Sequence, residues 1–528
     1  MLNLRRVLTC VLLYPLLLTI VHAKPLTSTE IDDVVEDSMS RFDVPGIAVG
    51  IIKNEKIVHL KGYGLREMGK SPGVNPDTVF KVASNSKAFT TAALAILVDE
   101  GKLSWQTKVV DIIPEFRLSD PWVTSRLNVL DLLTHRSGMN IGAGDLMLWP
   151  EPNKFTRSDI IYGLRHFDLV KQFRSEYAYD NLLYIVAGEL IPRITGMQWR
   201  EFVDQRIMQP LQLQNCFAGK MSSDARKNLA APHGLVDGEL GVIERSRIND
   251  VVSNMAAAGA VRCSVADMTA WMRFLLKRGE ISNGKRLYSE EQAEQMWTSQ
   301  IQRGTGSFER EWGNTHFSSY GLGWRISDVY GYKQISHTGS LAGFRSYMTL
   351  VPELDLGVVV LTNGSSSMAR KAVMYSLVRA YMSDEEVDWT AELIKSQQSY
   401  MSAALPEPVL KFQVPEEELA NEIVGAYVDP WFGEINIWRE EGKLMLRSVM
   451  SPILFGELKY LNGSVFVVRW FDRTLEADAY LRFERDFTGD VSSVKMQAVS
   501  PETDFSFDFH DLNFKPLAGD SSKEPNAK

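Results

Sequence analysis

The hydrophobic periodicity of this chain changes once, near residue 400, and that change limits the folds open to it. Before the change, apolar runs at 47–52 and 56–63 flank a turn and predict a β-hairpin. Longer apolar segments at 84–100 and 181–191 predict helices, and strand-like runs return at 346–362. Strands followed by helices and then by strands indicate an α+β domain whose sheet joins both ends of the segment.

Beyond the change, apolar and polar residues alternate in short runs. Residues 434–437 and 505–509 are clear examples, and glycines separate several of the runs. Many short strands with regularly spaced turns predict a small antiparallel sheet or barrel. A stretch rich in Pro and Glu, 404–418, precedes this region and is typical of a linker.

The length of the chain also favours more than one domain. At 528 residues it exceeds the size of a typical single core. We therefore divide it into a signal peptide at 1–23, an α+β domain at 24–385, a linker at 386–414, a β-barrel at 415–516 and a disordered tail at 517–528.

Charge and cysteine content exclude several classes of function. The chain has 57 Lys and Arg against 66 Asp and Glu, a net charge of −9, and an acidic surface repels phosphate backbones. We therefore expect no nucleic-acid partner. Outside the first 23 residues the cysteines are Cys216 and Cys263, too few for a small disulfide scaffold, although one bridge between them remains open. No spacing of Cys and His typical of a metal site appears, so we expect no metal and no cofactor.

The amino terminus has the pattern of a secretory signal peptide. Arg5 and Arg6 precede an apolar run at 7–21, and small residues at Val21 and Ala23 suit cleavage after Ala23. A membrane anchor is the alternative, but this run is short for a hydrocarbon layer about 30 Å thick. We expect a secreted or periplasmic protein with no stable membrane anchor after cleavage.

A Ser-x-x-Lys pattern provides the first candidate for chemistry. The chain contains three copies, which start at Ser84, Ser282 and Ser492, so the pattern alone is weak. Only the copy at Ser84 begins a predicted long helix, where residues i and i+3 share one face and Lys87 can reach the hydroxyl. A serine becomes a good nucleophile when a neighbouring base takes its proton, and lysine is such a base when its pKa is lowered.

Two further motifs follow in the chain. Tyr179-x-Asn181 leads directly into the second predicted helix, and His337-Thr338-Gly339 lies just before the returning strands. Each has an ordinary structural explanation. Tyr179 could be a core aromatic residue, Asn181 a helix cap and His337 a histidine on a strand.

Taken together and in this order, the motifs resemble those of the serine β-lactamase and penicillin-binding-protein superfamily. Two further segments also resemble family motifs, LLTHRSGM at 132–139 and AAGAVRCSVADM at 257–268. The resemblance extends over about 28–385 and is strongest to class C β-lactamase-related serine hydrolases. It implies an antiparallel sheet flanked by helices, with an all-helical subdomain. The region at 415–516 resembles the lipocalin-like β-barrel found in some members of the family.

The resemblance also implies roles for the motif residues. Ser84 would attack a carbonyl group and become acylated, and Lys87 would take its proton or support the group that does. Tyr179, as phenol or phenolate, would relay a proton to the leaving group. Asn181 would bind Lys87 and the amide of the substrate. His135 and Arg136 are left with structural roles.

The remaining positions implied by the resemblance would hold the substrate. His337, Thr338 and Gly339 would contact its carboxylate or tail from a sheet edge. The backbone N–H groups of Ser84 and Ser340 would form an oxyanion hole, where each donor is typically worth about 3 kcal/mol in the transition state.

The third motif differs from that of most β-lactamases in the superfamily, which carry lysine there. Histidine ordinarily has a pKa of about 6.5, so we expect His337 to supply no permanent cation for a β-lactam carboxylate. If protonated His337 binds a carboxylate, affinity should weaken above about pH 7.

These observations predict a secreted serine hydrolase that acts through a Ser84 acyl-enzyme. The expected substrate is a small peptide or amide, including peptides that contain a D-amino acid. Alternatives are an esterase or weak β-lactamase on the same scaffold, and a penicillin-recognising sensor or binding protein that acylates without turnover. For the barrel we consider two hypotheses, limited access to the active site and support of a homo-oligomer.

Overall fold

The computed structural model describes residues 23–236, 238–248, 253–282, 284–403 and 409–517. The predicted signal peptide lies outside these residues apart from Ala23, and so does the predicted tail beyond residue 517. Within the described ranges, no helix has both the length and the apolar character needed to cross a membrane.

Sixteen α-helices are present in the described residues. In chain order they are α1 (Ser28–Arg41), α2 (Ser86–Asp99), α3 (Val109–Ile112), α4 (Pro121–Thr124), α5 (Val129–Leu133), α6 (Arg157–Gly163), α7 (Leu182–Thr195), α8 (Trp199–Val203), α9 (Ser223–Arg226), α10 (Ala256–Gly259), α11 (Val265–Leu276), α12 (Glu290–Met296), α13 (Ser307–Gly313), α14 (Ser367–Arg379), α15 (Trp389–Ala403) and α16 (Glu417–Glu422).

The strands divide into two groups. Those before residue 400 are β1 (Gly46–Lys53), β2 (Lys56–Gly64), β3 (Val79–Lys81), β4 (Cys216–Phe217), β5 (His233–Val236), β6 (Glu239–Val242), β7 (Arg262–Ser264), β8 (Glu280–Ser282), β9 (Lys285–Arg286), β10 (Ile301–Arg303), β11 (Ser318–Tyr320), β12 (Arg325–Val329), β13 (Tyr332–Leu341), β14 (Phe344–Val351) and β15 (Leu356–Thr362). Those after it are β16 (Gly425–Asp429), β17 (Gly433–Glu440), β18 (Lys443–Ser448), β19 (Phe455–Asn462), β20 (Val465–Trp470), β21 (Ala479–Arg485), β22 (Val491–Ala498) and β23 (Asn513–Pro516).

The main sheet joins both ends of the first domain, as its sequence pattern predicts. Its order is β10-β11-β12-β13-β14-β15-β1-β2, and every neighbouring pair is antiparallel. The first strand pairs with the last, with Ile47 opposite Thr362. The predicted α+β fold class is therefore confirmed.

The two faces of this sheet pack against different helices. Its rear face covers a core shared with α1 and α14, which includes Val49, Val358 and Val373. Its front face packs against α11 and the largest core, where α2 and α7 also lie. The interior of α2 is buried from Ser86 to Leu97, which explains why this segment is apolar on all sides. The active-site candidates lie on the front face.

A small sheet of β3, β7 and β4 connects the segment before Ser84 to the rest of the domain. Cys216 on β4 and Cys263 on β7 face each other in this sheet and are joined by a disulfide. The bridge that the sequence left open therefore links two strands that are 47 residues apart.

The carboxy-terminal region is a closed antiparallel barrel of eight strands, with β16 pairing with β23. Alternate residues such as Ile435 and Ile437 point into its core. The predicted barrel is confirmed, and its aromatic residues mostly pack internally. The interval 386–414, predicted as a linker, contains the helix α15.

The barrel packs directly on the first domain. The rings of Trp431 and Phe167 are 4.8 Å apart, and those of Phe432 and Phe155 are 5.9 Å apart. Buried apolar residues of both domains form one continuous cluster. The two domains therefore share an apolar interface. Burial of aromatic surface is the main source of stability in such an interface.

Candidate active site

Ser84 lies in a tight turn, Ala83–Asn85, that runs directly into the amino terminus of α2. The turn is fixed to the main sheet, because Asn85 Nδ2 donates to Ser346 Oγ at 2.7 Å and Ser346 Oγ donates to Val82 O at 2.7 Å. Ala83 has a φ of +50°, a strained value for a residue with a side chain. The Ser84 side chain is half-buried.

Lys87 follows Ser84 by one helical turn and is fully buried. Its Nζ lies 3.2 Å from Ser84 Oγ, 2.7 Å from Asn181 Oδ1 and 3.1 Å from Ala258 O. Burial lowers the pKa of Lys87 to about 7, although the charges of Asp145 and Asp180 oppose this shift. Near neutral pH a substantial fraction of Lys87 is therefore uncharged and able to accept a proton.

Tyr179 reaches Ser84 from the loop before α7. Its Oη donates to Ser84 Oγ at 2.9 Å. The backbone of Tyr179 accepts a hydrogen bond from Gly142 N at 2.8 Å, and its ring lies 4.3 Å from the ring of His135. Burial raises the pKa of Tyr179 above its usual value, so its resting form is the phenol rather than the phenolate.

Asn181 connects Lys87 to a buried carboxyl group. While its Oδ1 accepts from Lys87, its Nδ2 donates to Asp145 Oδ2 at 2.8 Å. Asn181 makes no capping bond to α7, and Asp180 Oδ1 accepts from Leu183 N at 3.1 Å instead. The helix-cap explanation therefore applies to Asp180, and Asn181 is left to orient the lysine.

The residues of the third motif lie where the sheet has a free edge. Strand β12 pairs with β13 only as far as Ser336. From His337 onward, the backbone of β13 pairs with β14 alone. Gly339 passes so close to the Ser84 turn that a Cβ atom there would lie 2.3 Å from Val82 O. Thr338 is half-buried and Ser340 is exposed, so both remain accessible beside Ser84.

His337 does not supply a cation to this edge. It is 1% exposed, its Nδ1 donates to Thr338 O at 2.7 Å, and its Nε2 accepts from Tyr320 Oη at 2.9 Å. Burial, together with the charges of Arg325 and Lys87, lowers the pKa of His337 well below its usual range. The expected weakening of carboxylate affinity above about pH 7 has no basis in this neutral, enclosed ring.

The barrel also contributes to the surroundings of Ser84. Asp508 is fully buried, and its two oxygens accept hydrogen bonds from Gly144 N at 2.6 Å and Leu146 N at 3.0 Å. These two amides flank Asp145. The ring of Phe505 packs edge-on against Tyr179, with centroids 6.1 Å apart.

Sequence reasoning missed Asp145, Asp508 and Phe505. Burial raises the pKa of Asp145 well above its usual range, and the charge of Asp508 raises it further. None of these residues belongs to a recognisable motif, and Asp508 is distant in sequence from the segment it holds. His135 and Arg136 have structural contacts, as expected: His135 Nδ1 accepts from Asp180 N at 3.0 Å, and Arg136 pairs with Asp131 at 2.8 Å.

This arrangement can activate a serine by acid–base chemistry. It combines a half-buried hydroxyl with a buried amine of lowered pKa and a phenol, each of which lies within hydrogen-bond reach of that hydroxyl. Within the described residues, no group of His, Cys, Asp and Glu could hold a metal ion. The fold and this geometry together are those of a serine hydrolase, with a buried lysine beside the candidate nucleophile.

Comparison with known proteins assigns the family. Residues 31–382 match the family model Beta-lactamase, and residues 413–516 match a model described as a domain of unknown function, DUF3471. The first match covers about two thirds of the chain, so the chain belongs to the β-lactamase family of serine hydrolases.

Similar proteins include both named relatives and solved structures. Unguisins hydrolase ungD' of Aspergillus campestris is 26% identical over 78% of each chain. A penicillin-binding protein homologue from Pyrococcus abyssi, described as octameric, superposes with a TM-score of 0.58 at 20% identity, covering 93% of this chain and 100% of the other. A class C β-lactamase from Rhodobacter sphaeroides gives 0.53 at 19% identity, covering 69% and 99%. At these identities the two structures show a shared fold.

Proposed function

We propose that this chain hydrolyses amide bonds of small peptides through an acyl-enzyme on Ser84. The main support for this proposal is that Ser84 Oγ lies 3.2 Å from the buried amine of Lys87 and 2.9 Å from the phenol of Tyr179. A lysine whose pKa is about 7 is matched to proton transfer near neutral pH, where general bases are most effective.

In the proposed acylation step, neutral Lys87 takes the proton of Ser84 as Oγ attacks the substrate carbonyl carbon. The tetrahedral intermediate places its negative charge on the former carbonyl oxygen, next to the turn of Ser84 and the free edge at Ser340. When the C–N bond breaks, the proton held by Lys87 returns to the leaving amine through the hydroxyl of Tyr179. The products of this step are a free amine and a Ser84 ester.

Deacylation repeats these steps with water. Neutral Lys87 takes a proton from the attacking water molecule, relayed through the hydroxyl of Tyr179, and the ester bond to Ser84 breaks. The proton then returns to Ser84 Oγ, which restores the resting enzyme. Asn181 keeps the lysine amine directed at the hydroxyl in both halves of the cycle, since its side chain bridges Lys87 and Asp145.

The third motif supports substrates that need no free carboxylate. His337 is neutral and both its ring nitrogens have partners. The free edge of β13 instead offers backbone groups and the Thr338 hydroxyl, which suit an extended peptide held by β-type pairing. The name of the relative unguisins hydrolase indicates that a protein of related sequence is a hydrolase, but leaves the substrate of this chain open.

Intact-protein mass spectrometry tests the nucleophile and the turnover. The chain is exposed to a fluorophosphonate and, separately, to a penicillin. We expect one fluorophosphonate adduct on Ser84, and a penicillin adduct that decays over time. A penicillin adduct that never decays would favour the sensor alternative, and no adduct with either reagent would contradict the proposal.

Steady-state kinetics then separate the substrate classes. We expect D-alanyl peptides to be cleaved with a higher kcat/KM than p-nitrophenyl esters of matched size, and the reverse order would favour an esterase. Each peptide is compared with its C-terminally amidated form. Because the site offers no charged partner at His337, we expect the two forms to differ by less than about threefold, well below the effect of a lost charge-assisted hydrogen bond.

We propose further that the chain is exported and that its leader is removed after Ala23. Amino-terminal sequencing of the mature protein from its native host should then begin at Lys24. The octameric relative favours an oligomer for this chain as well. Light scattering after size exclusion would show this, and a single species near 57 kDa would contradict it, since about 2.6 kDa of the 59.5 kDa chain is lost with the leader.

A further inference from the structure

A cavity of about 330 Å³ lies behind the active-site strand, on the rear face of the main sheet. Its floor includes Arg325 on β12 and Ser336 on β13, its roof is the segment 303–313 and its side wall belongs to α14. Because adjacent residues of a strand point to opposite faces, the side chain of Ser336 at the cavity and that of His337 at the active site lie on opposite sides of β13.

The cavity is lined by more positive than negative charge. Arg303, Arg325 and Arg379 line it, and Glu309 is the one acidic residue among its lining. Glu309 already pairs with Lys371 at 3.7 Å. In the described ranges of the chain, no carboxylate forms an ion pair with any of the three arginines. This excess of cations is notable in a protein whose net charge is −9.

Each arginine has a buried nitrogen without a hydrogen-bond partner: Arg303 Nε, Arg325 Nε and Arg379 Nη2. Arg303 also donates from Nη1 to Ser318 Oγ at 3.2 Å, and its guanidinium group lies 5.1 Å from the centroid of the Tyr177 ring. Arg379 is held between aromatic rings at 4.3 and 4.2 Å from their centroids, and it is 7% exposed. Arg325 has neither a side-chain hydrogen bond nor an ion pair within the residues described.

An uncompensated guanidinium group is costly in such a place. Removing a cation from water costs free energy unless an anion or hydrogen bonds replace the hydration. Arginine does not lose its proton to relieve this cost. Arg303 and Arg325 also repel each other, and the charge of Arg325 adds to burial in lowering the pKa of Arg303. An anion placed between them would remove both penalties.

The other walls indicate what kind of anion fits. Apolar side chains of α13 and α14 face the arginines across the cavity; they are Phe308, Trp312, Met374 and Val378. Guanidinium groups bind carboxylates in a bidentate manner, and a cavity of this size holds a small organic molecule. We propose that this cavity binds a small carboxylate with an apolar body, its carboxylate at Arg303 and Arg325. This site does not depend on the reaction proposed at Ser84.

Isothermal titration calorimetry with phenylacetate tests the proposal on the full chain. Phenylacetamide, which has the same shape and no charge, serves as the matched ligand, and inorganic phosphate as the simple anion. We expect phenylacetate to bind at least about tenfold more tightly than either, the size expected for a charge-assisted pair. Equal binding of the two organic ligands, tighter binding of phosphate, or no binding of phenylacetate would overturn the proposal.

Two charge-matched variants locate the site. Arg325→Gln should weaken phenylacetate binding at least about tenfold, because it removes one half of the proposed carboxylate clamp. Lys333→Gln removes the same charge from an exposed residue of β13 outside the cavity, and it should leave the affinity within about twofold. Ser84→Ala should also bind normally. If that variant loses binding, the ligand occupies the active site and the proposal is wrong.

Thermal unfolding distinguishes a ligand site from a purely structural arginine. Without ligand, Arg325→Gln should melt at the same temperature as the parent or above it, since it removes repulsion between cations. Phenylacetate should raise the Tm of the parent and not that of the variant. If Arg325→Gln instead lowers the Tm by several degrees while its response to phenylacetate is retained, Arg325 has a packing role and the carboxylate site is refuted.

Discussion

The first domain and the barrel contribute to the active site in different ways. Among the described residues, two side chains form hydrogen bonds with Ser84 Oγ. They are Lys87 and Tyr179, and both belong to the first domain. The barrel acts one step further out, where Asp508 holds the turn around Asp145 and Phe505 packs on Tyr179. The first domain thus supplies the reactive groups and their direct partners, and the barrel supports them from further out. Substitutions in the first domain should change the rate far more than substitutions in the barrel.

The largest effect is expected from Ser84→Ala. Removal of the nucleophile should lower kcat/KM by at least about 10³-fold and abolish labelling by a fluorophosphonate. Ser282→Ala is the matched control, because Ser282 begins another Ser-x-x-Lys pattern but is exposed at the end of β8. Full labelling of Ser84→Ala, or lost labelling of Ser282→Ala, would move the chemistry away from α2.

Lys87→Met should have the second largest effect. We expect kcat to fall by about 10²- to 10⁴-fold, which is the usual contribution of a general base. The parent should also show a rise of kcat/KM with pH through about 7, because Lys87 accepts a proton only after losing its own. That rise should be absent in the variant. Lys285→Met, at an exposed position of the short strand β9, is the control and should retain both rate and profile. A pH-independent parent would argue against Lys87 as the base.

In the barrel, Asp508→Asn should lower kcat/KM about tenfold. The carboxylate accepts hydrogen bonds from Gly144 N and Leu146 N. In the asparagine variant, the side-chain NH2 group would face one of these backbone N–H groups, and two donors cannot bond to each other. The turn would shift, and Asp145 would hold Asn181 and Lys87 less well. We also expect a displaced ascending limb of the pH profile, which a loss of stability alone would not cause.

Asp429→Asn tests whether that effect is specific. Asp429 is also a buried barrel carboxylate, 2% exposed, and accepts from Trp431 N, Phe432 N and Asn513 N. Both variants should lose similar stability in thermal unfolding. Only Asp508→Asn should change the pH profile, and identical profiles in the two variants would reduce Asp508 to a structural residue.

The fold was largely predictable from the sequence. Period-two alternation predicted the barrel strands, which bury alternate residues, and apolar runs bounded by turn residues predicted the β1–β2 hairpin and the helices α2 and α7. The helix α15 was missed, since it falls in an interval that was read as a linker from its Pro- and Glu-rich end. For the strand order of the main sheet, the sequence predicted only that strands from the two ends of the first domain lie in one sheet.

The site was predictable where residues lie close in sequence or in a known order. Ser84 and Lys87 share one helical turn, and Tyr179 and Asn181 share one loop. The role of Asp508 depends on its contact with Gly144, which is 364 residues away in the chain. A local sequence pattern cannot reveal such a contact. The neutral state of His337 was also hidden, because it results from burial and from Tyr320, neither of which a three-residue motif contains.

The smallest effect is expected from Phe505→Ala, which removes the barrel side chain nearest to Tyr179. Phe505 is 42% exposed, so its loss should cost little stability. Its ring stands at the side of Tyr179 that faces the barrel, and without it the opening beside Ser84 becomes wider. The ratio of kcat/KM for a p-nitrophenyl octanoate over the acetate should rise about threefold, within the range of a single aromatic contact.

Phe487→Ala is the control for that experiment, because Phe487 is a fully exposed barrel phenylalanine. It should leave the ratio of the two esters unchanged. If Phe505→Ala lowers both rates equally, the ring serves to hold Tyr179 in place and does not limit access. If neither rate changes, the influence of the barrel on the site is confined to Asp508 and the turn that it holds, and the hypothesis of limited access must be abandoned.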